Sequence, residues 1–509
     1  MKKTALILIL ITMFSKLLGF FREITLSYFY GASSFSDLYL IAVSIPNVLF
    51  DFLAIAISTT FIPIYNEISL EKSEKEANRF TNNLTSMIIL LCTLIVIVFF
   101  LFTKEILGIF AKGFTGETLQ LAINFTRVSI FAIYATLLFH LYSSFLRIKN
   151  DYVTPAVSWL SLNIIVISFM IISAKADSRL LIWGTTLAFF SQLILVLFAS
   201  YKKGYRYKPF LNFKDKNISN LFLLSIPMIL GGSINGLNIL IDRTIASGVA
   251  EGGISALNYA VRLICFVQGI FVLNIVTIMF PEISKMAVNK DFNSMKKTVS
   301  ESLILVLLSV IPSTFGLMIF SREIVYLLFG RGAFDNNALT MTSSALFYYS
   351  LGISGTAITE ILVRVFYSVK DTVTPVWNAL VAVVVNIVLN IILSKYMGVG
   401  GLALATSIAG TIGMSLMFYS FRKNFGSFDF LTIFKETIKI LAASLLMAIA
   451  AKFAYGLLLN KFTANISLIF AIIIAIIIYS ILVVLFKVKE VDSIINGIKR
   501  RLSQITSNA

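Results

Sequence analysis

An all-α integral membrane protein with about fourteen transmembrane helices is the fold that this sequence predicts. Three observations predict it. Of the 509 residues, 58% are hydrophobic and only 13% are charged, with a mean hydropathy of +0.91, whereas a soluble protein carries about twice that charged fraction. Apolar runs of roughly 20 residues, each long enough to cross a bilayer core, recur along the chain. A repeat at a spacing near 220 residues divides most of these runs into two sets.

The apolar runs are expected to be helices, because a backbone that crosses lipid must satisfy its own hydrogen bonds. We number the predicted spans 1 to 14 in chain order. They cover residues 4–29, 36–64, 83–103, 119–146, 153–174, 180–201, 217–247, 254–284, 298–320, 338–368, 373–394, 399–421, 438–459 and 464–486.

The internal repeat rests on three matches in the same order. Residues 149–155 return at 369–375, sharing an Asp-x-x-Thr-Pro sequence, while 102–106 return at 320–324 and 62–63 at 280–281. Spans 1–6 and 7–12 are therefore two parallel copies of one six-helix bundle, because an even number of spans preserves orientation. Duplicated bundles are typical of alternating-access transporters with a substrate site between the halves.

The basic residues predict the orientation in the membrane. Alternate loops, starting from the N-terminus, hold 27 Lys and Arg, and the other loops hold eight, so both termini are expected in the cytoplasm. This bias explains most of the net charge of +17 without any nucleic-acid partner.

The spans and the charge bias together predict five segments. They are an N-lobe at 1–205, a cytoplasmic linker at 206–216, a C-lobe at 217–425, two extra helices at 426–487 and a cytoplasmic amphipathic tail at 488–509. The basic, aromatic linker is expected to press on lipid headgroups, and the tail is expected to lie along the membrane surface.

Twelve charged residues inside the predicted spans are singled out here, because a charge in mid-bilayer costs roughly 2.5–3.5 kcal/mol unless it pairs or faces water. Glu360 and Arg364 lie four residues apart and are expected to form a structural ion pair. Lys452 is expected to snorkel. The others are Lys16, Arg22, Glu23, Asp37, Asp51, Arg127, Asp242, Arg243 and Arg262.

Lys16, Arg22 and Arg262 are the candidate substrate cations. Lys16 and Arg22 lie on span 1 and Arg262 on span 8, so the two repeats would present positive charge to a shared cleft. Guanidinium groups bind two phosphate oxygens at once, which favours a lipid with a pyrophosphate headgroup. A purely structural role, in which these cations brace the bundle, is the alternative.

An oxygen-rich set predicts a possible Na⁺ site. Asp242 lies on span 7, Asn386 and Asn390 lie one turn apart on span 11, and Thr406 lies on span 12. Carboxylate, amide and hydroxyl oxygens suit a hard cation. A simple ion pair between Asp242 and Arg243 is the alternative.

The sequence resembles the MurJ-type lipid II flippases of the MOP (MATE-like) exporter superfamily. The similar stretches are 15–23, 36–47, 61–63, 254–263 and 328–334. The resemblance implies a V-shaped, two-lobed bundle that moves undecaprenyl-pyrophosphate-linked peptidoglycan precursor to the outer leaflet for cell-wall synthesis. It also implies that the candidate cations bind substrate and that the oxygen-rich set binds sodium. Its motifs add Glu23, Asp37, Asn47 and Ser255 to the predicted substrate-binding set.

The chain departs from the family pattern at four positions. Lys16 stands where the family usually has Arg, Glu23 stands for Asp, and Phe50 stands where many members have a third cavity Arg. Asn390 stands where an Asp occurs in some members. These departures reduce the expected positive charge of the cavity and the negative charge of the sodium site.

The predicted function is lipid II flipping by alternating access in the bacterial cytoplasmic membrane. No enzymatic step and no nucleotide motor are expected, since the phosphate-binding loop sequence of such motors is absent. Na⁺ is the one candidate cofactor, and none is required. The expected partners are lipid II, membrane lipids and, as candidates, cell-wall synthesis proteins.

Three alternative functions remain open. A flippase for another polyprenyl-linked glycan has nearly the same requirements. A cation-coupled multidrug exporter would need an acidic cavity, whereas these spans lean basic. An intramembrane enzyme is disfavoured by the short loops and the single histidine.

Overall fold

The computed structural model describes residues 2–427 and 429–492, and all of its regular secondary structure in that range is α-helix. Seventeen helices occur there: α1 (Lys2–Tyr30), α2 (Ser34–Glu71), α3 (Glu74–Leu101), α4 (Thr103–Phe110), α5 (Gly116–Ser129), α6 (Ala132–Ile148), α7 (Val153–Lys175), α8 (Leu180–Lys202), α9 (Lys216–Val249), α10 (Gly253–Val288), α11 (Phe292–Ile319), α12 (Ser321–Phe329), α13 (Asn336–Leu351), α14 (Ile353–Ser368), α15 (Val373–Phe425), α16 (Phe430–Leu458) and α17 (Ala464–Leu485).

Each of the fourteen predicted spans corresponds to a helix or a helix pair. Span 4 is α5 with α6, and span 10 is α13 with α14, which are bent by 47°. Spans 11 and 12 both lie in α15, on either side of a non-helical residue, Gly398. Within the described residues, ten helices are long and apolar enough to cross a membrane, or eleven if the bent pair is one span. These findings confirm an all-helical, multi-pass membrane protein.

The repeat is visible in local geometry at two corners. Asn150 and Lys370 adopt left-handed backbone angles, with φ of 59° and 64°. The next residue, Asp151 or Asp371, then caps the following helix. In each corner one carboxylate oxygen accepts from the Thr backbone N–H at 3.0 Å, and the other accepts from the same Thr hydroxyl, at 2.7 and 2.6 Å. The shared sequence therefore encodes the same helix start twice.

The first compact unit comprises Met1–Ser255 and Arg331–Ala338. Its helix α2 packs along α9, where a β-carbon at Gly236 would lie 2.9 Å from Val48 Cγ1. The short 331–338 segment is joined to α1, since the Ala333 N–H donates to the Tyr28 carbonyl at 2.9 Å. Gly332 has a φ of 65°, in the left-handed region that favours glycine. A β-carbon at this position would also lie only 2.2 Å from the Tyr28 carbonyl oxygen, so glycine is required there.

By its contacts, the seventh predicted span (α9) packs in this first unit, although the repeat assigns it to the C-lobe. The lobe boundaries were inferred from the internal sequence repeat, whereas the compact units are defined by contacts between helices. The lobe boundaries therefore stay a prediction.

The second compact unit comprises Ala256–Gly330 and Leu339–Ala509. The two helices outside the repeat, α16 and α17, pack on each other, and α16 packs on α11. A buried cluster formed by Phe320, Ala451, Tyr455, Leu468 and Ala471 joins them to the α11–α12 corner.

Lys452 adds an ion pair to this joint. Its Nζ lies 2.8 Å from the Glu323 carboxylate and 5.2 Å from the Phe320 ring centroid. The side chain therefore has both a charge partner and an aromatic partner within its own unit. Most of the predicted amphipathic tail, residues 493–509, lies outside the described residues.

Candidate functional site

Arg22 lies at the centre of a polar cluster between α1 and α7. Its Nη2 lies 3.0 Å from Glu23 Oε1, and its Nη1 donates to Asn163 Oδ1 at 3.3 Å. The Glu23 side chain is only 5% exposed, whereas that of Arg22 is 25% exposed. The carboxylate thus lies inside the bundle, and part of the Arg22 side chain stays exposed.

Asn163 on α7 is the residue that sequence reasoning missed. Its Nδ2 donates to the Trp159 carbonyl at 3.0 Å and to the Ser15 carbonyl on α1 at 3.4 Å. One buried amide therefore ties α1 to α7 and orients Arg22. The available signal was an isolated Asn within the apolar sequence of span 5, which is costly in lipid unless it is hydrogen-bonded.

The other predicted substrate residues lie apart from this cluster or in the other unit. Lys16 is exposed on α1, and Asn47 is half-buried on α2. Among the described contacts, no hydrogen bond joins either residue to Arg22, Glu23 or Asn163. Arg262 is exposed on α10 and belongs to the second compact unit.

Asp37 and Ser255 are brought together in a buried joint of the first unit. Asp37 Oδ1 accepts from the Ser255 backbone N–H at 2.7 Å and from the Ser255 hydroxyl at 2.6 Å. Ser255 Oγ also lies 2.8 Å from Ser36 Oγ. The carboxylate caps the first turn of α10, where free N–H groups favour negative charge. This geometry supports a structural joint rather than an open binding surface.

Three members of the oxygen-rich set form a chain of side chains on α15. Asn390 Nδ2 donates to Asn386 Oδ1 at 2.8 Å, and Asn386 Nδ2 donates to Thr406 Oγ1 at 3.2 Å. Asn386 and Asn390 are 2% and 0% exposed. Amide and hydroxyl oxygens are ligands that a hard cation prefers, but Asn386 Oδ1 and Thr406 Oγ1 accept hydrogen bonds within this chain of side chains. Within the described residues, no group of three or more His, Cys, Asp or Glu is arranged to hold a metal.

The fourth member, Asp242, lies on α9 in the first unit. Its neighbour Arg243 donates to the Leu40 carbonyl at 3.1 Å and to Ser44 Oγ. Arg243 is therefore used to join α9 to α2.

Two other arginines inside the predicted spans have different interaction partners. Arg364 Nη2 lies 2.6 Å from Glu360 Oε1, which confirms the predicted ion pair. Arg127 donates to the Phe100 carbonyl at 3.4 Å and stacks 4.9 Å from the Phe100 ring centroid. Phe50 packs edge-on to Phe99, with the two ring centroids 5.8 Å apart.

Repeated helical bundles that carry charged residues inside the membrane are typical of transporters. A family model described as "Lipid II flippase MurJ" matches residues 26–485. The chain belongs to this family.

Relatives and solved structures agree with this assignment. A probable lipid II flippase MurJ of Thermotoga maritima is 30% identical over 486 residues, covering 95% of this chain and 96% of that protein. One from Buchnera aphidicola subsp. Baizongia pistaciae is 30% identical and covers 91% and 92%. A solved structure described as "Lipid II flippase MurJ, inward closed conformation" has a TM-score of 0.82 at 28% identity, covering 94% of this chain and 98% of that one.

A multidrug resistance MATE family transporter of the MOP superfamily shares the fold. Its inward-facing structure has a TM-score of 0.69 at 13% identity, covering 83% of this chain and 98% of that one.

Proposed function

We propose that this chain flips lipid II across the bacterial cytoplasmic membrane, with both termini in the cytoplasm. The observation that carries the proposal is Arg22, whose guanidinium group is oriented inside the bundle by Glu23 and Asn163 and whose side chain remains partly exposed. Such a group binds two oxygens of a pyrophosphate at once. The polyprenyl tail of the substrate stays in lipid throughout.

Lys16 and Arg262 supply further positive charge in this proposal. Lys16 is exposed on α1, about 1.7 helical turns before Arg22. As an ammonium group it attracts phosphate without the two-point geometry of a guanidinium group. Arg262, on α10, is the third cation that the sequence nominates. The headgroup binds the inward-open and outward-open states with different affinities, and this difference shifts the equilibrium between the two states.

No bond is made or broken in this proposed cycle, so the protein acts as a carrier rather than an enzyme. Na⁺ is the candidate coupling ion. The residues that the sequence nominates to hold it are Asn386, Asn390 and Thr406 on α15 and Asp242 on α9.

Complementation tests the proposal as a whole. The full chain is expressed in a bacterium depleted of its own lipid II flippase, and growth and peptidoglycan synthesis are measured. Restored growth with wild-type chain is expected. A chain that reaches the membrane and leaves the cells to lyse would contradict the proposal.

A flippase for another polyprenyl-linked glycan is the second candidate. Phe50 and Lys16 do not separate it from the first candidate, because both substrate classes carry the same polyprenyl pyrophosphate. Complementation of a glycan-export strain, with failure in the lipid II strain, would identify this alternative.

A further inference from the structure

The linker between α8 and α9 is docked on α3 by side chains that recognise its backbone. Asn83 Oδ1 accepts from the Asn212 N–H at 2.8 Å, and Asn83 Nδ2 donates to the Asn212 carbonyl at 3.0 Å. Asn82 Oδ1 accepts from the Tyr205 hydroxyl at 2.7 Å, and Ser86 Oγ lies 2.9 Å from the Tyr207 hydroxyl. The inner side of the linker is therefore fixed, with Tyr205 buried at 3% exposure.

The exposed charged side chains of the docked linker are all cations. Its one acid, Asp215, is half-buried and accepts a hydrogen bond from Asn83 Nδ2 at 3.3 Å. The exposed cations of the linker and its two ends are Lys202, Lys203, Arg206, Lys208, Lys214 and Lys216. Apolar side chains lie exposed among them: Leu211 is 47% exposed and Phe213 is 68% exposed. Fixed cations interleaved with exposed apolar groups suit an interface between headgroups and acyl chains.

The neighbouring face of α8 indicates what occupies this surface. Ile194, Phe198 and Tyr201 are 61%, 58% and 57% exposed at helical spacing, on a helix long and apolar enough to span a membrane. At the end of this face, Lys202 Nζ lies 4.4 Å from the Phe198 ring centroid, and Arg206 Cζ lies 5.4 Å from that of Tyr201. A lipid whose chain lies along this face has its phosphate beside these cations.

We propose that the docked linker, with the adjoining face of α8, is a binding platform for anionic phospholipid of the surrounding bilayer. Asn82, Asn83 and Ser86 act as positioning residues that hold its cations on one surface. The platform is separate from the Arg22 cluster, and its existence does not depend on which substrate the protein carries.

Lipid retention tests the platform. Purified full-length protein is equilibrated with equal amounts of phosphatidylglycerol and phosphatidylcholine, and the retained lipids are counted by native mass spectrometry. Each cation at a membrane surface contributes about a fivefold preference for anionic lipid. Wild type is expected to retain mainly phosphatidylglycerol, and a variant with Lys202→Gln, Arg206→Gln, Lys208→Gln and Lys214→Gln is expected to lose that preference.

A matched variant removes the same charge elsewhere. Lys285, Lys290, Lys296 and Lys297, each changed to Gln, lie near Glu282 and Asp291 around the α10–α11 loop. This control is expected to keep most of the preference. Equal loss in both variants, or an unchanged preference in the linker variant, would overturn the proposal.

Asn83→Leu tests the positioning role separately, since it leaves every cation in place. The substitution removes both bonds to the Asn212 backbone, so the preference for phosphatidylglycerol is expected to fall several-fold. A variant that melts as a single folded species and keeps the full preference would show that docking does not matter.

Discussion

Two intramembrane arginines are stabilised in different ways. Arg364 pairs with Glu360 one turn earlier on the same helix, α14. Arg22 is bonded to the adjacent residue, Glu23, and to Asn163 on another helix, α7. The first arrangement is local and neutralises one charge with one partner. The second uses a distant residue to set the direction of the guanidinium group, which is the arrangement that the proposed ligand-binding role requires.

Among the variants that test this comparison, Arg22→Ala is expected to have the largest effect. It removes the oriented guanidinium group, so we expect complementation of a flippase-depleted bacterium to fail while the protein still reaches the membrane. Arg22→Lys keeps the charge and loses the two-point contact, and partial growth is expected. Full growth with Arg22→Ala would remove Arg22 from the site.

The next largest effect is expected at Asn163. Asn163→Ala leaves the Arg22 charge in place but removes its cross-helix partner. A hydrogen bond between membrane helices contributes about 0.6 kcal/mol on average and up to about 1.7 kcal/mol, so lipid II affinity is expected to fall by about threefold to twentyfold. Titration of the purified variant measures this. An unchanged affinity would show that Asn163 only joins α1 to α7.

Asp37 provides a third kind of buried charge, one used to start a helix. Asp37→Ala removes the acceptor of the two Ser255 bonds. A hydrogen bond to a charged group contributes about 1.5–3 kcal/mol, so the free energy of unfolding should fall by that order. Thermal unfolding in detergent is the measurement. A variant that is as stable as wild type but cannot bind lipid II would favour a substrate role instead.

A smaller effect is expected at the candidate sodium site. Na⁺ should raise the melting temperature of wild type relative to K⁺ at equal ionic strength, by mass action. Asp242→Ala and Thr406→Val should each remove this difference. A Na⁺ effect that persists in both variants would place the ion elsewhere.

The smallest effect is expected at the local ion pair. Glu360→Gln with Arg364→Gln removes both charges and keeps the side-chain shapes, so complementation should remain close to wild type. The pair is only partly exposed, and replacing both partners is usually far milder than removing one. Loss of growth in this double variant would give Arg364 a functional role like that of Arg22.

The fold was largely predictable from the sequence, because span length and apolarity are local properties. The Asp-x-x-Thr-Pro repeat even anticipated two equal corners, at Asp151 and Asp371. The short helices α4 and α12 and the breaks inside spans 4 and 10 were not predicted, because hydropathy continues through them. Their positions depend on tertiary packing.

The candidate site was less predictable, because its contacts join residues far apart in the chain. The sequence indicated Arg22 through the cost of its charge, but it could not show that Asn163 on α7 would orient it. Asp37 and Ser255 were both identified as site residues, yet their mutual bond crosses more than 200 residues of chain. Hydropathy and repeats do not reveal such pairings.

Lipid II binding by native mass spectrometry tests the central claim most directly, with Arg22→Ala compared with the double variant Glu360→Gln and Arg364→Gln. We predict that wild type and the double variant bind lipid II selectively over phosphatidylglycerol, and that Arg22→Ala loses this selectivity. Equal binding by Arg22→Ala and wild type, or no preference for lipid II in wild type, would contradict it.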